Sequence, residues 1–184
     1  VDVELSQLKV IKANNFRGAD ELKYFLARFN GISSIESETF FQAPKLKFIL
    51  LQFNQISNIH AQAFKGLDVL EALYLDDNRI TTLSEYTLDY LPSLLHFSMS
   101  FNNLTSIPNN LFMKTTRLET LNLGHNLLQH FNETQFNSLP NLERVHLDHN
   151  NFKKLDLVAC KSSEINVDGN DLEVIELNKW TKKI

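Results

Sequence analysis

The sequence contains few of the residues that divide a chain into parts or cross-link it. Its 184 residues include one cysteine, Cys160, five glycines and four prolines. A single cysteine gives no information about the redox compartment. No stretch is rich enough in proline, glycine or serine to act as a linker. We therefore expect one domain that covers residues 1–184.

The sequence also lacks a basic surplus and a long apolar run. Its net charge is −4. Nucleic-acid phosphates require a basic surface, so we expect no nucleic-acid partner. No run of about 18 apolar residues is present, so we expect no membrane span in this piece of chain. No signal-peptide pattern is visible at the N-terminus.

What the sequence does contain is a pattern that recurs every 24 residues, shown by LEALYLDDNRITTLSEYTLDYL from Leu70 to Leu91. With Leu70 as position 1, the template is LxxLxLxxNxLxxLxxxxFxxLxx. Its first six positions alternate like a half-buried strand. The asparagine at position 9 falls where the strand must turn, and its side-chain amide can pair with backbone groups left free by the bend. The predicted asparagine ladder consists of Asn30, Asn54, Asn78, Asn102, Asn126, Asn150 and Asn170.

Copies of this template fill almost the whole chain. A partial repeat covers 1–21, and full repeats cover 22–45, 46–69, 70–93, 94–117 and 118–141, followed by a short repeat at 142–161 and a last one at 162–184. Burying the apolar side chains of one repeat contributes only about 10–20 kcal/mol of stabilising free energy. Ordering its backbone costs at least roughly as much. The repeats should therefore fold only as a stacked array.

This array resembles the leucine-rich repeat proteins. The resemblance implies an α/β solenoid, or horseshoe, with a concave parallel sheet at positions 1–9 and short helices or irregular segments on the convex side. Position 19 resembles the stacked phenylalanines of the family, and only Leu88 departs from them among the full repeats. The phenylalanines at position 19 of this sequence are Phe16, Phe40, Phe64, Phe112 and Phe136. Secreted members usually carry cysteine-rich caps, which this sequence lacks. We therefore expect a fragment of a longer protein, with uncapped ends through which it can form oligomers.

Outward positions 2, 3, 5, 7 and 8 of the sheet are where such an architecture binds partners. The first three strands place apolar side chains at positions that should be polar, which predicts a protein-binding patch. Its residues are Tyr24, Leu26, Phe48, Leu50 and Tyr74. The alternative is that a preceding segment covers the patch. At position 8 we expect Phe29, Phe53 and Phe101 to form a structural column that stacks on its neighbours.

The later strands are polar and bring His125, His146, His149, Asp148 and Asp168 close together. Imidazoles and carboxylates can bind a transition metal or respond to pH. However, histidine before the ladder asparagine is an ordinary choice in this repeat. We therefore expect solvated columns, with no metal site and no cofactor.

No catalytic residues are predicted. Ser98 and Ser100 lie near His96 and Asp76, but all should project side by side from a flat sheet. No cleft or oxyanion hole accompanies them, so we expect that the protein is not an enzyme.

Two glycosylation sequons favour an extracellular location, and the phenylalanine column and constant 24-residue length also resemble extracellular members of the family. Asn103-Leu-Thr105 and Asn132-Glu-Thr134 are glycosylation sequons at loop positions, although an asparagine-rich repeat also produces such pairs by chance. Cys160 stands at position 19 of the short repeat, where a small buried side chain is expected. The alternative for Cys160 is an intermolecular disulfide.

The leading interpretation is a secreted recognition module of innate immunity that binds a protein on its concave sheet. The phrases LYLDDNRI, LNLGHNLL and VHLDHNNF resemble insect extracellular leucine-rich repeat proteins, with the mosquito leucine-rich immune molecules as the nearest likeness. That resemblance implies a complement-like partner or another leucine-rich repeat protein. The cysteine-rich region and coiled coil of those molecules are absent here, which leaves their disulfide-linked pairing open.

Two alternatives are an ectodomain fragment of a Toll-like or adhesion receptor and an intracellular scaffold. The receptor would bind its ligand on a flank or edge. The scaffold would carry no glycan at Asn103 or Asn132.

Overall fold

Each turn of the chain contributes one short strand to the same parallel sheet. The computed structural model describes residues 1–131 and 133–177. The seven strands of this sheet, in spatial order, are β1 (Tyr24–Leu26), β3 (Phe48–Leu50), β5 (Ala72–Tyr74), β6 (His96–Ser98), β7 (Thr120–Asn122), β8 (Arg144–His146) and β10 (Glu164–Asn166). The predicted solenoid with a parallel sheet is confirmed.

Strand register follows the repeat. Tyr24 pairs with Phe48, Phe48 with Ala72, and the same position continues through to Glu164 on β10. Equal positions therefore form columns across the sheet, because neighbouring strands lie about 4.8 Å apart.

The strands occupy only positions 3–5, which is shorter than the predicted positions 1–9. Backbone pairing reaches further, as in the bond from Phe29 N to Gln52 O at 3.1 Å. At position 8, however, the backbone is left-handed, with φ between 50° and 64°, and this conformation cannot continue a strand. The residues concerned are Leu5, Phe29, Phe53, Asp77, Phe101, His125, His149 and Gly169.

Two smaller parallel sheets join neighbouring turns near position 14, and the repeat pattern did not predict them. One consists of β2 (Ser34–Ile35) and β4 (Asn58–Ile59), and the other of β9 (Lys154–Leu157) and β11 (Val174–Leu177). Helical structure in the described residues is limited to a 3-10 helix, Ala13–Phe16, and α1, Glu133–Asn137. Turns connect most of the other elements. No helix within the described ranges is long and apolar enough to span a bilayer.

The core is a continuous stack of inward-pointing side chains. The rings of Phe40 and Phe64, both fully buried, lie parallel with centroids 6.0 Å apart. Leu88 is fully buried at the same position of the next repeat, as expected. Cys160 is also buried, and this burial raises the pKa of its thiol. Packing therefore extends across repeat boundaries, as required of an array whose single turns cannot fold alone.

The ladder asparagines connect consecutive turns by hydrogen bonds. Asn78 Nδ2 donates to Leu75 O and to Leu51 O of the preceding turn, both at 3.0 Å, and Asn78 Oδ1 accepts from Ile56 N at 2.9 Å. The same three bonds recur at Asn30, Asn54, Asn102, Asn126, Asn150 and Asn170. Each asparagine thus satisfies backbone groups that the bend after the strand would otherwise leave unpaired.

Candidate partner-binding surface on the concave sheet

The five apolar residues predicted to bind a partner lie on three adjacent strands. Tyr24 and Phe48 are opposite each other on β1 and β3, as are Leu26 and Leu50, while Tyr74 on β5 is opposite Leu50. Side chains alternate in direction along a strand, and the intervening position 4 is buried in the core. All five side chains therefore share the outer face of the sheet, and we call this surface the apolar patch.

An exposed aromatic stack forms the edge of the apolar patch. The rings of Tyr24 and Phe48 are parallel within 7°, with centroids 5.1 Å apart. Tyr24 is 51% exposed, and the other four members are half-buried. Ala72, the next residue in the same column, is completely buried. The aromatic surface consequently shifts from position 3 to position 5, where Tyr74 continues it.

Ion pairs border the apolar patch on both sides. At position 2, Lys47 Nζ lies 2.6 Å from Glu71 Oε1, and this hydrogen bond raises the pKa of Lys47. At position 7, Arg28 Nε lies 2.5 Å from Glu4 Oε1. An apolar centre with a charged rim is the usual anatomy of a protein–protein interface.

Asp76 marks the point where the sheet changes from apolar to polar. Its carboxylate accepts hydrogen bonds from Ser98 Oγ, Ser100 Oγ (2.6 Å) and Ser100 N (3.0 Å). Both serines are buried. The sequence placed these residues near each other, but their role as one hydrogen-bonded group was not predicted. The available signal was an aspartate at position 7 followed by serines at positions 5 and 7 of the next repeat.

Tyr74 lies next to this group. Burial raises the pKa of its hydroxyl, and the negative charge of Asp76 raises it further. The hydroxyl therefore stays protonated at physiological pH and can donate a hydrogen bond to a partner.

Rings at position 8 form a second column along the edge of the sheet. The centroids of Phe29 and Phe53 are 4.4 Å apart, and Phe101 stacks on His125 at 4.0 Å. The predicted stacking at this position is confirmed. Asp77 occupies the same position between Phe53 and Phe101, so the column has two separate parts. Burial and the charge of Asp76 raise the pKa of Asp77, whereas His125 lowers it.

Three of the five polar residues singled out at the other end of the sheet come together. Asp148 Oδ2 lies 3.2 Å from His149 Nδ1 and 3.6 Å from His125 Nε2. His146 lies on β8 and Asp168 follows β10, outside this group. The sequence predicted solvated columns whose members lie close together, and the distances show this closeness for these three residues.

Only one of the two sequons can be located. Asn103 is exposed just after the position-9 bend, where a glycan would not meet the core. Asn132 lies outside the described residues.

Comparison with known families agrees with this geometry. The family described as leucine rich repeat matches residues 44–104 and 97–152, which together make up more than half of the chain. The chain belongs to the leucine-rich repeat family. Homologues with this fold are typically binding modules for proteins and not enzymes.

The solved structures similar to this chain include those of TLR13 and APL1B. The crystal structure of a TLR13–ssRNA13 complex has a TM-score of 0.78 and 23% identity, covering 91% of this chain and 25% of TLR13. The crystal structure of the leucine-rich repeat domain of APL1B, a mosquito immune protein, has a TM-score of 0.74 and 27% identity. That match covers 79% of this chain and 42% of the APL1B chain. This leucine-rich repeat chain thus spans less than half of either structure, and a search of curated proteins found no match.

The likeness to TLR13 concerns the fold alone. Because that structure is a complex with single-stranded RNA, the comparisons do not support the expectation that nucleic acid is not a partner.

Proposed function

We propose that this leucine-rich repeat chain is a secreted recognition module that binds a protein partner through the apolar patch. The observation that supports this proposal is the exposed stack of Tyr24 on Phe48, with Leu26, Leu50 and Tyr74 beside it on the same face. A patch of this kind, surrounded by charged pairs, is typical of surfaces that bind other proteins.

The patch suits binding energetically because it is already ordered. Its side chains stand on hydrogen-bonded strands, and the two rings already stack, so little side-chain freedom remains to be lost when a partner docks. Fully burying an exposed side chain of this size is worth about 1.5–3 kcal/mol, and the four half-buried members of the patch would each contribute less. Tyrosine is also among the residues that most often dominate interface energy, and Tyr74 adds a hydroxyl donor.

An extracellular immune role is the finer part of the proposal. It rests on the similarity to the leucine-rich repeat domain of APL1B and on the sequons at Asn103 and Asn132. The partner would then be a complement-like protein or another leucine-rich repeat chain. Mass spectrometry of protein secreted from insect cells should detect a glycan at Asn103. Unmodified Asn103 and Asn132 would favour an intracellular scaffold.

The double substitution Tyr24→Ser with Phe48→Ser tests the patch. We expect the variant to fold normally and to lose capture of the protein that the wild type retains from haemolymph or plasma. The lost band should be identified, and its affinity for both proteins measured by surface plasmon resonance.

A matched control is His96→Ser with Thr120→Ser, because both residues lie in the same position-3 column outside the apolar patch. This control should bind the partner as the wild type does. Equal capture by the Tyr24/Phe48 variant would exclude the patch. That result would favour binding on a flank or edge of the solenoid, where a Toll-like ectodomain fragment would bind its ligand.

A further inference from the structure

A second site lies on the later turns of the sheet, away from the apolar patch. His125 and His149 both stand at position 8, on consecutive turns, and Asp148 stands at position 7. The two imidazole rings are parallel within 9°, with centroids 4.1 Å apart. One donor atom from each of the three residues lies within 4.8 Å of the other two.

Two glycines create the space that these side chains fill. A Cβ atom added to Gly124 would lie 2.7 Å from Asp148 Oδ1, and one added to Gly169 would lie 2.8 Å from His149 Cδ2. Both distances are too short for a side chain to coexist with the present arrangement. The carboxylate and the imidazole therefore rest against bare backbone of neighbouring turns.

Burial differs among the three residues in a way that suits ion binding. The side chain of Asp148 is only 14% exposed, whereas those of His125 and His149 are 36% and 51% exposed. The carboxylate thus forms the floor of the site and the imidazoles form its open side. A cation can reach the site from solvent, and a water molecule can complete its coordination.

The donor set selects a class of cation. Two imidazole nitrogens and one carboxylate oxygen suit Zn²⁺, Ni²⁺ and Cu²⁺, whereas Ca²⁺ and Mg²⁺ prefer oxygen ligands. Zinc holds such donors at about 2.0–2.2 Å, which places tetrahedral ligands roughly 3.3 Å from one another. The separations of Asp148 Oδ2 from the two histidines, 3.2 and 3.6 Å, are close to that value. The two histidine nitrogens lie within 4.8 Å of each other and would have to approach further for both to bind one ion.

We propose that His125, Asp148 and His149 bind one divalent transition-metal cation, with Zn²⁺ as the representative ion. The site uses none of the residues of the apolar patch, so this proposal can be tested independently of the proposed protein binding. It also differs from a pair of solvated histidines in a measurable way, because it should bind one equivalent of metal.

The test is isothermal titration of Zn²⁺ into chelator-treated protein that carries no polyhistidine tag. We expect one Zn²⁺ per wild-type chain and no binding of Ca²⁺ or Mg²⁺. His149→Gly and Asp148→Asn should each weaken Zn²⁺ binding at least about tenfold, since even groups that only orient a metal ligand have effects of this size. His130→Gln, an exposed histidine outside the site, is the control and should bind Zn²⁺ as the wild type does.

The variants are chosen so that they remain folded. His149 has φ of 50°, a conformation that glycine adopts freely, and Gly169 occupies the same position in the next turn. Circular dichroism without metal verifies the fold, and a given Zn²⁺ concentration should raise the melting temperature of the wild type more than that of either site variant. Failure of the wild type to bind one Zn²⁺, or undiminished binding by both variants, would overturn the proposal.

Discussion

The two ends of the concave sheet have the same backbone and opposite surfaces. On β1, β3 and β5, positions 3 and 5 carry stacked aromatic and aliphatic side chains between ion pairs. On β7, β8 and β10, the same positions are polar, and a histidine–carboxylate group lies at their edge. Strand register and the asparagine hydrogen bonds do not change between the two ends. The repeat therefore determines where a side chain points, and the outward residue alone determines what it can bind.

Position 8 shows the same separation of roles within one column. The backbone is left-handed there in every described turn, whether the residue is leucine, phenylalanine, aspartate, histidine or glycine. A left-handed conformation costs an ordinary residue about 1–2 kcal/mol. The left-handed conformation is nevertheless required, because the bend must direct the ladder asparagine inward. Ring stacking between neighbours offsets part of it where aromatic residues are adjacent.

The largest expected effect comes from removing an asparagine of the ladder, because the ladder extends through both ends of the sheet. Asn102→Leu removes the amide that pairs with Leu75 O, Met99 O and Ile80 N. Because these groups are buried, the substitution should lower the free energy of unfolding by about 1–3 kcal/mol. Thermal and urea unfolding measure this loss.

The neighbouring exposed residue provides a control. Asn103→Leu should change the unfolding free energy by less than about 0.5 kcal/mol. Equal melting temperatures for Asn102→Leu and the wild type would show that the asparagine hydrogen bonds do not stabilise the array.

A smaller effect is expected at the border between the two surfaces. Asp76→Ala leaves the buried hydroxyls of Ser98 and Ser100 without their acceptor, which should cost about 1–2 kcal/mol in urea unfolding. If the hydroxyls are the cause, the triple variant with Ser98→Ala and Ser100→Ala should recover part of that loss. No recovery would mean that Asp76 stabilises the border in another way.

The smallest effect concerns Asp77, whose charge interrupts the ring column. Folding raises its pKa, so the folded state holds the proton more tightly than the unfolded state. Ionisation of Asp77 therefore lowers stability above the ordinary carboxyl pKa of about 3.9, and this cost is relieved as the pH falls. Asp77→Asn should stabilise the protein by up to about 0.5 kcal/mol at pH 7, and by less near pH 3.

Melting temperatures at the two pH values measure this difference, with the exposed Asp68→Asn as the control. A gain that is the same at pH 7 and pH 3 would contradict an origin in the charge of Asp77.

The sequence predicted the parts of the fold that depend only on the spacing of the repeats. A constant 24-residue spacing determines which residues stack, so the columns of Tyr24 with Phe48 and of Leu50 with Tyr74 could be predicted without coordinates. It did not predict where the strands end or that β9 pairs with β11, because these depend on backbone angles in the loops.

The sequence also predicted that histidines and carboxylates lie close together on the later turns, but not which three of the five residues form one group. The spacing placed His125 near His149, but the direction of Asp148 depends on the empty space beside Gly124. The repeat template assigns no role to a glycine at position 7, because its effect depends on which side chain of the neighbouring turn lies against it. The residues of the apolar patch were found because their positions alone were unusual.

The two small sheets have a consequence for the shape of the molecule. Paired strands keep a separation of about 4.8 Å. The first two full turns, joined by β2–β4, and the last two, joined by β9–β11, are therefore each held at this spacing along two lines, which resists their separation on the side away from the main sheet.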